Sequence, residues 1–104
     1  MALPTITFGG SGTLDYTDIH YETDIAGQIE AGLAGTGSDT VTVTFGYSYT
    51  TAPIVVLTAA SDGAVGINYF YVSATTTTTF TVTINNDVDY GGIVLLNYHI
   101  FETQ

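Results

Sequence analysis

Apolar and hydroxyl side chains alternate strictly through much of the second half of the chain. In Thr40-Val41-Thr42-Val43-Thr44-Phe45, the residues Val41, Val43 and Phe45 fall on one face and the threonines on the other. That period of two is the signature of a half-buried β-strand. Thr79-Phe80-Thr81-Val82-Thr83-Ile84 repeats the device, with Phe80, Val82 and Ile84 inward. Pro53-Ile54-Val55-Val56-Leu57-Thr58 is a continuous apolar run, which predicts a strand covered on both faces. From Ile67 to Ala74, Tyr69 and Tyr71 alternate with Phe70 and Val72, and Ile93 to Phe101 forms a long final strand. Turn residues at Tyr49-Thr50-Thr51-Ala52, Ser61-Asp62-Gly63, Asn85-Asn86-Asp87 and Tyr90-Gly91-Gly92 separate these runs. Five strands so spaced predict an all-β, antiparallel sandwich.

The first 39 residues are different material, holding six of the ten acids: Asp15, Asp18, Glu22, Asp24, Glu30 and Asp39. Thr5-Ile6-Thr7-Phe8 and Gly27-Gln28-Ile29-Glu30-Ala31 suit short strands. A helix over Asp24 to Leu33 is disfavoured by Gly27 and Gly32, each costing about 1 kcal/mol relative to alanine. The expected division is an extended N-terminal arm or attachment segment over 1–26 and a β-sandwich domain over 27–104.

Charge removes whole classes of function. The 104 residues include ten carboxylates and no lysine or arginine, a formal charge of −10. Without a permanent cation the chain cannot neutralise phosphates, so no nucleic-acid partner is expected. Attraction to an anionic membrane goes with it. Carboxylate to lysine or arginine ion pairs are impossible within a copy or between copies. Apolar packing and uncharged hydrogen bonds must therefore hold the protein to itself or to a partner. Sheets commonly guard exposed edges with lysine, and the tyrosine-rich strands without any lysine favour an oligomer. Cysteine is absent, which excludes disulfides and thiolate chemistry. The start, Met1-Ala2-Leu3-Pro4-Thr5, has neither a basic region nor an apolar core and is not read as a secretory signal.

From Gly27 onward the order of features resembles a known family. Gly27-Gln28-Ile29-Glu30-Ala31-Gly32 precedes the alternating strand ending in Phe45, followed by Tyr47, Tyr49 and Ala52-Pro53-Ile54-Val55. A loop at Asp62-Gly63, a strand around Tyr69 to Val72, the threonine-rich approach to Phe80-Thr81-Val82 and an apolar last strand complete it. Over about residues 27–102 this is similar to the H-type lectin-like domain of invertebrate agglutinins and phage tail-fibre tips. The resemblance implies a six-stranded antiparallel β-sandwich assembled as a parallel homotrimer. The family's sugar site between protomers uses arginine among other side chains. This chain has no arginine or tryptophan, so that site does not carry over.

Candidate chemistry lies in two places. Asn85, Asn86, Asp87, Asp89 and Tyr90 make the most polar loop. Asn and Asp tolerate left-handed backbone and bond locally, which predicts a hairpin turn. The same oxygens suit Ca²⁺, with Asp87 and Asp89 as its anionic ligands, or a glycan stacked on Tyr90. Asp62 belongs to a smaller loop of this kind. On the last strand, Asn97, His99 and Phe101 share a face. In a trimer that row would line the symmetry axis; in one copy His99 is simply a packed, hydrogen-bonded side chain. Paired acids such as Asp15/Asp18 and Asp87/Asp89 resemble glycosidase pairs in spacing only. No nucleophile motif accompanies them, so no enzyme is expected.

The expected function is a non-enzymatic virion structural or accessory protein: a capsid decoration, head-fibre or tail-tip module. It would contact other virion proteins through residues 1–26. The alternative is a receptor-binding tail-fibre knob or lectin recognising host-surface glycan. Either places the chain on a virion or outside the cell, and no cofactor other than Ca²⁺ is implicated.

Overall fold

The threonine–valine alternation folds as expected. A computed structural model of the chain describes residues 3–20, 23, 25–60, 67–86 and 92–102. Its strands are β1 (Thr5–Phe8), β2 (Leu14–His20), β3 (Ala26–Leu33), β4 (Gly37–Thr44), β5 (Ile54–Ala59), β6 (Tyr69–Thr75), β7 (Thr79–Asn86) and β8 (Ile93–Phe101). They form two four-stranded antiparallel sheets, ordered β1-β4-β7-β6 and β2-β3-β8-β5. The all-β antiparallel class is as expected, with eight strands rather than six.

The two additional strands come from the segment expected as an extended arm. Ile6 and Phe8 of β1 pair with Val43 and Val41 of β4, while β2 pairs with β3 through Leu14 to His20. Residues 5–20 therefore supply one strand to each sheet. Their acids mark the outward side of β2 rather than a separate tail.

Inward-facing residues fill the space between the sheets. Val41, Val43, Phe80, Val82 and Ile84 from the first sheet meet Ile29, Ala31, Val94, Leu96, Tyr98 and Ile100 from the second, and all are buried. Phe80 bridges the layers, its ring 5.8 Å from Phe45 and 5.1 Å from Tyr98. Gly27 makes room for Tyr98: a Cβ there would stand 2.5 Å from the phenol oxygen. Gly32 is open for a similar reason, since the Tyr16 ring lies across it on the outward face.

Two expectations fail for identifiable reasons. Asn85 and Asn86, expected in a turn, are the last residues of β7, paired with Ser38 and Gly37. The run Pro53 to Thr58 was expected to be covered twice, but β5 is an edge strand. Val55 and Leu57 pack inward while Ile54 and Val56 face out.

A buried acid shows how a chain without lysine or arginine accommodates a carboxylate. Asp39 is 4% exposed. Its Oδ1 accepts from the Thr40 N–H at 2.8 Å, and its Oδ2 from the N–H groups of Ser11 at 3.2 Å and Leu14 at 3.4 Å. The connection from β1 to β2 is thereby tied to β4. Asp39→Ala leaves these donors without their acceptor and is expected to cost about 3 kcal/mol. The urea midpoint checks this, and an unchanged midpoint would contradict it.

Candidate functional site

The outward face of the β2-β3-β8-β5 sheet carries the most unusual surface. Alternation along β8 sends Val94, Leu96, Tyr98 and Ile100 inward, so Asn97, His99 and Phe101 point out. The imidazole of His99 stacks on the Phe101 ring at 4.8 Å with 12° between planes. Across the strand pair, Phe101 lies opposite Ile54 and His99 opposite Val56. Ile54 is 56% exposed and Phe101 49%. An open groove of about 490 Å³ runs beside them, lined by Gln28, Val56, Thr58, Asn97, His99 and Phe101 among others. Gln28 Nε2 donates to Asn97 Oδ1 at 3.0 Å, which orders the polar side of the groove. The row expected from the sequence is present, and β5 adds aliphatic side chains to it.

Among the described residues of these four strands, the acidic side chains lie on β2 and β3. The Tyr16 hydroxyl donates to Glu30 Oε2 at 2.7 Å. His20 Nε2 lies 2.7 Å from Glu30 Oε1 and 3.8 Å from Asp18 Oδ2. The hairpin register explains the cluster, since Asp18 pairs with Glu30 and His20 with Gln28. The hydrogen bond from Tyr16, and then that from His20, lower the Glu30 pKa. Tyr16 is pushed up to about 12, chiefly by its bond to Glu30, then by desolvation and neighbouring acids. A carboxyl held ionised in this way is poorly suited to act as a general acid. Among the described residues, no group of three or more His, Asp or Glu side chains has the arrangement of a metal site.

Both shifts have a direction in stability. A raised Tyr16 value contributes stability below the ordinary phenol pKa, lost as pH rises through about 12. A lowered Glu30 value contributes above the ordinary carboxylate pKa and is lost as pH falls through the lowered value. The Tyr16 ring signals are expected to titrate near pH 12 by NMR, and Glu30→Gln to move that midpoint towards about 10. Titration of the unaltered chain near 10 would contradict the Tyr16–Glu30 bond.

The loop candidates separate. Asn85 lies outward beside Tyr69, its Oδ1 accepting from Asn68 Nδ2 at 3.0 Å and its Nδ2 donating to Ser38 Oγ at 2.8 Å. Asn86 turns inward and is wholly buried, donating to the Gly35 carbonyl at 3.1 Å, so its amide cannot meet a ligand. Asp62, Asp87, Asp89 and Tyr90, and with them the Ca²⁺ candidates, lie outside the described residues.

No family model matches the chain, and no curated protein matches it. Among solved structures it is similar to the tailspike protein gp49 from Pseudomonas phage LKA1. The TM-score is 0.62 and the identity 20%, over 84% of this chain and 15% of the tailspike. The likeness is one of fold: the chain corresponds to a small part of that much longer protein.

Proposed function

We propose that the chain is a non-enzymatic virion module that assembles as a homotrimer through the outward face of β8 and β5. The observation that carries this reading is an exposed, uncharged patch of Ile54, Val56, His99 and Phe101 on a chain of net charge −10. Like-charged copies repel, and with no lysine or arginine an association cannot be held by ordinary ion pairs. It must use a surface without carboxylates, and β5 and β8 contain none.

The apolar character of both sides of β5 follows from the same reading. One side packs on the core, and a neighbouring copy covers Ile54 and Val56. Burying apolar surface contributes about 25 cal/mol per Å². The stacked pair His99–Phe101 adds aromatic area of the kind that anchors protein interfaces. Three copies follow from the H-type lectin-like resemblance, with Asn97, His99 and Phe101 near the axis.

The virion setting draws on the fold shared with part of a phage tailspike. Other virion proteins would meet residues 1–26, where β1 forms a sheet edge able to pair with an added strand. Purified phage particles labelled with an antibody to the chain test this setting. Regular labelling on the capsid or at the tail is expected. Its absence from particles, with the chain recovered only in solution, would overturn the virion reading.

A further inference from the structure

We infer that assembly through the face of β5 and β8 is acid-sensitive, with His99 as its switch: protonating the imidazoles releases the copies from one another. This rests on the assembly proposed above and adds its regulation.

His99 occupies an uncharged setting. Alternation along β8 leaves it outward and exposed, between Asn97 and Phe101. Its cross-strand partners are Ala26 on β3 and Val56 on β5. One face of the ring lies on Phe101, with centroids 4.8 Å apart and 12° between planes. Gln28 and Asn97, bonded to each other at 3.0 Å, border the same groove, and neither amide ionises. Among the described residues, no carboxylate lies within ion-pair distance of His99, whereas His20 has both Glu30 and Asp18 within 3.8 Å. Glu30 sits opposite Leu95, four residues back along β8, where Tyr16 and His20 bond to it. Asp18 pairs with Glu30 from β2, and Glu102 is exposed just past the end of β8.

These surroundings make the two states of the chain differ in their affinity for a proton. Histidine changes its charge between about pH 8 and pH 5. In a separate copy, the imidazolium would be hydrated and would lie on an aromatic face that attracts a cation. In the assembly the same ring is covered together with Ile54 and Val56, and it approaches its counterparts near the axis. Charging it there removes hydration with no carboxylate to compensate, and the like charges repel. The proton therefore binds the separate copy more tightly, and its uptake shifts the equilibrium towards separate copies. Assembly is favoured while the ring is neutral and is lost as pH falls.

Two other effects of acid are separable from this one. Carboxylates with ordinary values near about 4 stay ionised down to about pH 5.5, so the histidines are the side chains that gain charge. Each proton gained also reduces the net charge of −10, which by itself would favour association. In about 1 M salt the screening length is about 3 Å, and that opposing effect is suppressed. His20 meets Glu30 on β3, away from the patch, so its charge is compensated locally in either state.

The test is sedimentation velocity of the full chain in about 1 M salt, over a range of concentrations, at about pH 8 and about pH 5.5. The concentration at which half the chains are assembled is expected to rise about tenfold or more at the lower pH. His20→Gln should respond as the unaltered chain does. His99→Phe, which keeps an aromatic ring beside Phe101 but cannot be protonated, should assemble equally at both pH values. A second measurement needs no substitution: by NMR, the His99 ring signals should remain those of the neutral form for as long as the assembled mass persists. Association unchanged between the two pH values, a response retained by His99→Phe or abolished by His20→Gln, or a charged His99 ring within a persisting assembly would overturn the inference. If His99→Phe does not assemble at about pH 8, the ring signals decide the question. A chain that is monomeric at both pH values contradicts the assembly reading itself, whereas an assembly equally stable at both contradicts only the switch.

Discussion

On the proposed assembly, Phe101→Asp is expected to leave only monomers. The side chain stacks on His99 and faces Ile54 at the end of the β5–β8 ladder, within the uncharged patch. Its aromatic area is of the kind whose removal from an interface costs about 2–4 kcal/mol. The aspartate adds a further penalty, because each copy would bring a new carboxylate to a surface with no lysine or arginine to pair it. Burying an unpaired charge is among the costliest changes a protein interface can suffer. The same substitution should leave the monomer folded, since Phe101 lies outside the core. Sedimentation equilibrium checks the mass and circular dichroism the fold. A folded variant that keeps the mass of the unaltered chain would place the interface elsewhere.

The second large effect concerns the core. Phe80→Ala is expected to destabilise the fold by about 3–5 kcal/mol, a large share of the roughly 5–15 kcal/mol that holds a small domain together. Phe80 is wholly buried and touches the rings of Phe45 and Tyr98, so it links the two sheets. The cavity left by alanine would be lined by rigid strands that cannot close over it. Thr81→Ala, one residue along β7 and facing outward, should change stability by less than about 1 kcal/mol. Urea denaturation of the pair gives the comparison, and similar effects at the two positions would contradict the assigned faces of β7.

These faces show what the amino-acid pattern alone could reveal. The threonine–valine alternation of β4 and β7 correctly identified Val41, Val43, Phe80, Val82 and Ile84 as inward, because a period of two admits only one arrangement. The outward row Asn97, His99 and Phe101 was legible for the same reason. Pro53 to Thr58 misled, since an unbroken apolar run has no period from which to read its two sides. Only the strand order shows that Ile54 and Val56 join the His99 face. Thr5 to Phe8 was legible as a strand, but the acids of residues 14–20 concealed β2, as their spacing does not reveal that Asp18 and Glu30 become cross-strand partners. The Tyr16–Glu30–His20 cluster depends on that hairpin register. Pairing between distant segments is what local pattern cannot supply. Asn85 and Asn86 carried the residue types of a turn, yet β7 continues through both because Ser38 and Gly37 pair with them.

Sedimentation velocity of the full chain tests self-association through the uncharged face most directly. At about 1 M salt the screening length falls to about 3 Å, so repulsion between copies of charge −10 is suppressed. The expected result is a species of about three times the 10.9 kDa chain mass, increasing with protein concentration and with salt. A 10.9 kDa particle at every concentration and every salt level would contradict it.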